Sequence, residues 1–139
     1  MTVLNMQITG NPITKLRPRF TRQGRTYDSQ KLEKEAARCI IMQQMSKNRQ
    51  IRRIKGAIMV NLTFHTPIPK SWSQKRRKAV LGRPDTRKPD IDNLAKFILD
   101  VMNKLVYEDD NQITTLHCEM IFSENPRTEI QVKEIEDED

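Results

Sequence analysis

Lys88 to Asp110 reads KPDIDNLAKFILDVMNKLVYEDD, and this stretch decides how the rest of the chain is arranged. Leu94, Phe97, Ile98, Val101 and Leu105 recur at steps of three and four, which predicts an amphipathic helix with one apolar stripe laid against a sheet. Pro89 keeps Lys88 out of helical conformation. Asp92 is a good N-cap, its carboxylate accepting from the free N–H groups of the first turn, so the helix is expected to begin there. The polar face carries Lys96 one turn beyond Asp92, and Asp100 one turn beyond Lys96.

The same stretch concentrates acids, Asp90, Asp92, Asp100, Glu108, Asp109 and Asp110, in a chain of formal net charge +7. An ordinary capped helix with a solvated Asp92–Lys96–Asp100 ladder accounts for part of this. It leaves Asp90 without a task, and it places Asp109 and Asp110 near the negative end of the helix dipole, where carboxylates are disfavoured. A bound divalent cation is the competing explanation. Mg²⁺ takes oxygen ligands and keeps several waters, so Asp-x-Asp at a loop-to-helix junction plus a substrate phosphate can hold it. A nearby lysine would stabilise charge building up on phosphate oxygens.

Lys88-Pro-Asp-Ile-Asp-Asn-Leu-Ala-Lys96, then Asp100, then Asp109-Asp110-Asn-Gln-Ile113, resembles the RusA-type Holliday-junction endodeoxyribonucleases of bacteria and their phages. The resemblance implies Mg²⁺-dependent cleavage of four-way or otherwise branched DNA by a homodimer, with Mn²⁺ able to substitute and no small organic cofactor. Carried over by position, Asp90, Asp92 and Asp110 match the family's catalytic, metal-binding carboxylates and Lys96 its catalytic lysine. Asn93, Asp100 and Asp109 fall in supporting places. Paired nicks by a two-fold dimer in DNA recombination and repair are the implied outcome.

The bounds set by the whole chain agree. At 139 residues, 36% hydrophobic and 31% charged, residues 1–139 are expected to form one globular domain whose thin aromatic content leaves the core to Ile, Leu, Val and Met. Glu129–Asp139 holds six acids and a single lysine, so the remainder is more basic than the net charge suggests, which favours a polyanionic partner. The tail within it, Glu134–Asp139, is expected to fray. Cys39 and Cys118 stand far apart without paired partners and read as small buried hydrophobes. His65 and His117 are isolated and read as packing or surface residues. No run is long and apolar enough to span a membrane, and the first residues lack the layout of a signal peptide, so a cytoplasmic protein of a bacterial or phage-infected cell is expected.

Val3–Thr9 alternates as a strand. The following loop carries Lys15, Arg17, Arg19, Arg22 and Arg25 among breakers Pro12, Pro18 and Gly24, and reads as a basic loop that orders on DNA, with Phe20 and Tyr27 available to stack on unpaired bases. Asp28 or Ser29 is expected to cap a helix through about Met45 whose apolar side is Leu32, Ala36, Cys39, Ile40, Met42 and Met45, with Lys31, Glu33, Lys34 and Arg38 facing water. A strand from about Gly56 to His65 follows. Ser71 is the expected cap of a short helix over Trp72–Val80, where Lys75, Arg76, Arg77 and Lys78, with Arg87 and Lys88 beyond it, are placed to contact phosphates. Strands are expected over Ile113–Phe122 and Thr128–Ile135, the second an antiparallel partner.

These elements predict an α/β (α+β) fold, a small mixed sheet of about four strands with helices packed on one face. A helix of about 20 Å separates Asp90 from Asp110. Either a connection doubling back through Asn103–Tyr107 or the partner chain would have to bridge that gap. Two other functions fit the same features: a non-catalytic basic DNA-binding protein, and a metal-dependent nuclease acting on RNA or unbranched DNA.

Overall fold

In the computed structural model, residues 2–16, 19–27 and 29–136 are described, with only the backbone given for Arg19, Phe20 and Tyr27. The elements run β1 (Val3–Thr9), β2 (Arg19–Phe20), β3 (Thr26–Tyr27), α1 (Lys31–Lys47), β4 (Ile58–Pro67), α2 (Gln74–Val80), α3 (Ile91–Met102), β5 (Ile113–Ser123) and β6 (Arg127–Glu134). β1, β6, β4 and β5 form one mixed sheet in that order. β6 pairs antiparallel with both β1 and β4, and β4 pairs parallel with β5. The expected fold class is therefore the observed one.

Alternation along each strand sorts the sheet into two faces. Ile58, Val60, Leu62 and Phe64 of β4, Leu4 and Met6 of β1, and Ile130 and Val132 of β6 are buried beneath the helices. The opposite face is polar, and an amide ladder crosses it: Gln131 donates to Asn5 Oδ1 at 3.0 Å and Asn61 donates to Gln131 Oε1 at 2.9 Å. β6 is thus the partner of β4 and β1, not of β5, although only Glu124–Pro126 separates it from β5. The strand expected over Thr128–Ile135 is β6, ordered between two neighbours. Residues 137–139 lie outside the described residues.

α3 crosses between β4 and β5 and lays Leu94, Phe97, Ile98, Val101 and Met102 on the sheet. Full burial of each such side chain contributes about 1.5–3 kcal/mol, so the stripe read from the sequence is what anchors this helix. Leu105 lies past its end, half-buried against the core.

α1 turns a different face inward from the one expected. Its buried residues are Ala37, Ile41 and Met45, while Leu32 and Met42 are 81% and 55% exposed. Ala36 and Cys39 are exposed too. The cause is polar: Lys34 pairs with Asp100 at 2.5 Å, and Arg38 Nη1 donates to the carbonyls of Val101 and Asn103 at 2.9 and 3.1 Å. A guanidinium placed on the free carbonyls at the end of α3 is favoured by the helix dipole and costs the helix its apolar alternative. The expected cap at Asp28 lies outside the described residues. The N-cap position is Gln30, whose side chain instead accepts from Leu16 N and donates to Thr14 O, at 2.8 and 2.7 Å. The basic loop before it contains a small hairpin, β2 with β3. The stacking role expected of Phe20 and Tyr27, and the contacts expected of Arg17 and Arg19, concern side chains outside the described residues.

Candidate active site

α3 begins two residues earlier than a cap at Asp92 implies, so Asp90, not Asp92, occupies the N-cap position. Its backbone is extended (φ −69°, ψ 137°) and its side chain makes no capping hydrogen bond. Asp92 sits in the first turn, 67% exposed, and Lys96 Nζ lies 3.8 Å from its Oδ2. An exposed pair of this spacing is worth about 0.3–0.5 kcal/mol, too little to tie up either group. Both carboxylates open onto a cavity of about 470 Å³ walled by Pro84–Arg87, Pro89–Asp92 and Glu119–Ile121. Glu119, whose Oε1 is 3.4 Å from Thr63 Oγ1, is a further acid of that wall. In the sequence it is merely one polar position of an alternating strand.

The wall is stiffened by Asp85. Its carboxylate, almost wholly buried, accepts from Arg87 Nε at 3.0 Å and Arg87 Nη2 at 2.9 Å, and from Thr66 Oγ1 at 2.6 Å. Burial by itself would raise the Asp85 pKa, yet the hydrogen bonds from Arg87 and Thr66 outweigh it and hold the carboxyl below its ordinary range. Arg87, proposed from sequence as a phosphate contact, is held by this carboxylate and by the Pro67 carbonyl at 3.0 Å, and it stacks on Phe122 at 4.6 Å. Trp72 lies against the same ring at 5.7 Å and takes Arg76 over its face at 3.5 Å.

The other basic candidates divide in the same way. Ser73, two residues past the expected cap, accepts from Arg76 N and starts α2. Arg77 braces the carbonyls of Ile68 and Pro69 at 3.2 and 2.8 Å. Lys75, Lys78, Lys88 and Arg22 are exposed and able to meet a phosphate backbone. Lys15 is bound to Asp100 at 2.8 Å, and its backbone N donates to Asn93 O at 3.0 Å.

Asp100 therefore joins the segment before β2, α1 and α3. Partial burial raises its pKa, but Lys15 and Lys34 more than offset that and lower it. It does not extend the Asp92–Lys96 pair into a ladder.

Asp110 occupies the far end of α3. It opens a single 3₁₀ turn, Asp110–Gln112, closed by a capping box: Asp109 accepts from Asn111 N at 3.2 Å, and Gln112 Oε1 accepts from Glu108 N and Asp109 N at 2.7 and 3.0 Å. Gln112 Nε2 donates to Ile54 O and Gly56 O, both at 2.9 Å. Asp109 and Gln112 are thus occupied in holding the turn. Asp110 is exposed and lies against the hydroxyl of Tyr107, which donates to Leu99 O at 2.9 Å. Burial first, and the Asp110 carboxylate second, push the Tyr107 hydroxyl far above the usual tyrosine range.

The chain after α3 does double back, far enough for Tyr107 to reach Leu99, but not far enough to deliver Asp110 to Asp90. Asp110 precedes Ile113 at the start of β5, whereas Asp90 and Asp92 share their cavity with Glu119–Ile121. Six strand steps of about 3.3 Å put the two places about 20 Å apart. Among the described residues, no three acids, histidines or cysteines stand close enough together to hold a metal ion. Asp90 and Asp92 are nevertheless a suitable pair of hard oxygen donors, open to solvent and to a substrate phosphate.

The endodeoxyribonuclease RusA family model matches residues 9–133. An uncharacterized protein, YqaN, of Bacillus subtilis (strain 168) is 31% identical over 141 residues, covering 97% of this chain and 99% of its own. A crossover junction endodeoxyribonuclease, rusA, of Lactococcus phage r1t is 43% identical over 51 residues, covering 36% of this chain and 39% of its own. With the family match spanning most of the sheet and both ends of α3, the chain belongs to the RusA family of endodeoxyribonucleases.

Proposed function

We propose that this protein is a Mg²⁺-dependent endodeoxyribonuclease that resolves four-way DNA junctions by paired symmetric nicks, acting as a homodimer. The observation that carries the reading is the pair Asp90 and Asp92, neither bonded to the backbone cap, at the mouth of a cavity whose wall is continued by exposed Lys88, with Lys75 and Lys78 exposed on α2. These lysines hold the phosphates on either side of the scissile bond, and their sequence-independent grip suits a substrate recognised by shape. Asp90 and Asp92, joined by Asp110 of the second copy, would hold the ion. When bound, Mg²⁺ supplies positive charge against the phosphoryl oxygens and makes water more acidic. Lys96, one turn above Asp92, stabilises the charge that develops as water displaces the 3′ oxygen and leaves a 5′ phosphate. Asp85 and Arg87 fix the wall against which the phosphate is pressed.

Asp92→Asn tests this on a synthetic four-way junction. The variant is expected to bind the junction as the parent does while cleavage falls by at least 10²-fold. Undiminished cleavage would refute the assignment. Linear duplex, single strand and RNA, each with Mg²⁺ or EDTA, decide between junction resolution and a general nuclease, and binding without any Mg²⁺-dependent product would mark a non-catalytic DNA-binding protein.

A further inference from the structure

Trp72 is the chain's one tryptophan, and it is set apart from the other rings. Among the described side chains, Phe64, Phe97, Tyr107 and Phe122 are buried, whereas Trp72 is partly exposed. Short-range bonds fix its position. Trp72 N donates to Pro69 O at 3.1 Å, Ser73 caps the helix that follows, and Arg77 braces the carbonyls of Ile68 and Pro69. The indole rests against Phe122, with ring centres 5.7 Å apart and planes tilted by 49°.

Two guanidinium groups lie over the indole, and they differ in what else holds them. Arg87, 5.4 Å from the ring centre, is tied to Asp85 and to the Pro67 carbonyl. Arg76, four residues beyond Trp72, lies at 3.5 Å and is exposed. Among the described residues, no carboxylate or carbonyl engages its guanidinium, so the ring is what keeps it in place. Were Arg76 there only to seal a core ring, that ring would be buried as Phe122 is. A cation on an exposed ring gains less than a nucleobase gains by stacking on the same face. Arg76 is therefore a cover that a base can displace, and the freed guanidinium is then available to a phosphate.

The ring also stands beside the cleavage cavity. Arg87 walls that cavity and lies over both Trp72 and Phe122, and Phe122 follows Ile121 of the same wall. In a paired duplex the bases next to a cut phosphate are locked in the stack. A base already unpaired at a branch point costs least to turn outward onto a ring.

We propose that the face of Trp72 under Arg76 is a stacking site for an unpaired nucleobase of branched DNA: the base replaces the guanidinium on the indole, and Arg76 moves to a phosphate. The proposal rests on the reading of the Asp90–Asp92 cavity as the place where DNA is cut.

Trp72 reports its own occupancy, because no other tryptophan contributes to the emission. With EDTA present, so that nothing is cut, a four-way junction and a single strand are expected to quench the emission as they bind. A fully paired duplex, bound at low salt, is expected to leave it unchanged. Arg76→Ala keeps the quenching, since the base and not the guanidinium is the quencher. Junction binding without loss of emission, equal quenching by duplex, or no quenching in Arg76→Ala would each overturn the proposal.

Affinity gives a second readout. Trp72→Ala is expected to bind the junction about tenfold more weakly and the duplex as the parent does, while Trp72→Phe, which keeps an aromatic face, recovers most of the junction affinity. Junction binding by Trp72→Phe as weak as that by Trp72→Ala would overturn the stacking role. Selective quenching in a parent that cuts nothing with Mg²⁺ would remove the nuclease reading and keep the stacking site, whereas cleavage without quenching would do the reverse.

Discussion

At the scale of single residues, the cavity shows carboxylates in two conditions. Asp90 and Asp92 are open and unengaged by the fold, while Asp85, a few residues away, is buried and fully hydrogen-bonded. Asp85→Asn removes the charge that Arg87 is shaped around and is expected to cost about 2 kcal/mol at pH 7, measured by urea unfolding. The sign of its pH dependence follows from the lowered pKa. The folded state holds the ionised form more tightly than the unfolded chain does, so the parent's advantage is constant above about pH 4 and disappears as pH falls through the depressed folded value. Parent and variant should therefore converge in acid. A difference persisting undiminished at pH 2 would show that the substitution removes something other than the ion pair.

Among the elements, α3 and the 3₁₀ turn after it divide the acidic motif into chemistry and scaffolding. Gln112→Ala removes four hydrogen bonds to main-chain groups around the turn, so unfolding by urea should show a destabilisation of about 2–3 kcal/mol, with junction cleavage falling because Asp110 is no longer held. An unchanged midpoint would argue that the turn stands without this brace. That division was only half legible in the sequence. The spacing of Leu94, Phe97, Ile98 and Val101 places α3, alternation places β1, β4, β5 and β6, and the four-residue step places Lys96 over Asp92. Periodicity could not show which face of α1 goes inward, because Lys34 and Arg38 are drawn in by Asp100 and by carbonyls of α3, partners more than sixty residues away in the chain. Nor could it rank Asp109 against Asp110, or single out Glu119, since what distinguishes them is a capping bond or a shared cavity.

For the molecule as a whole, charge is sorted more sharply than composition suggests. Several of its basic side chains are internal braces, Lys15, Lys34, Arg38, Arg77 and Arg87 among them, whereas Lys75 and Lys78 of α2 are exposed. Lys75→Ala/Lys78→Ala is expected to weaken junction binding and to lower the slope of log affinity against log salt by about 2, one unit for each phosphate no longer neutralised. Titrations at several salt concentrations measure it, and a parallel line displaced without change of slope would mean that these lysines do not touch the backbone.

The placing of β6 between β1 and β4 has a consequence for how the protein is made. β1 is synthesised before β4 and β5, yet among the described residues its strand partner in the sheet is β6, which follows both, so Val3 waits for Lys133. A nascent polypeptide that already contains every aspartate of the motif still lacks the strand that knits its sheet together. A chain built in this order cannot close its sheet over α3 until β6 has been made.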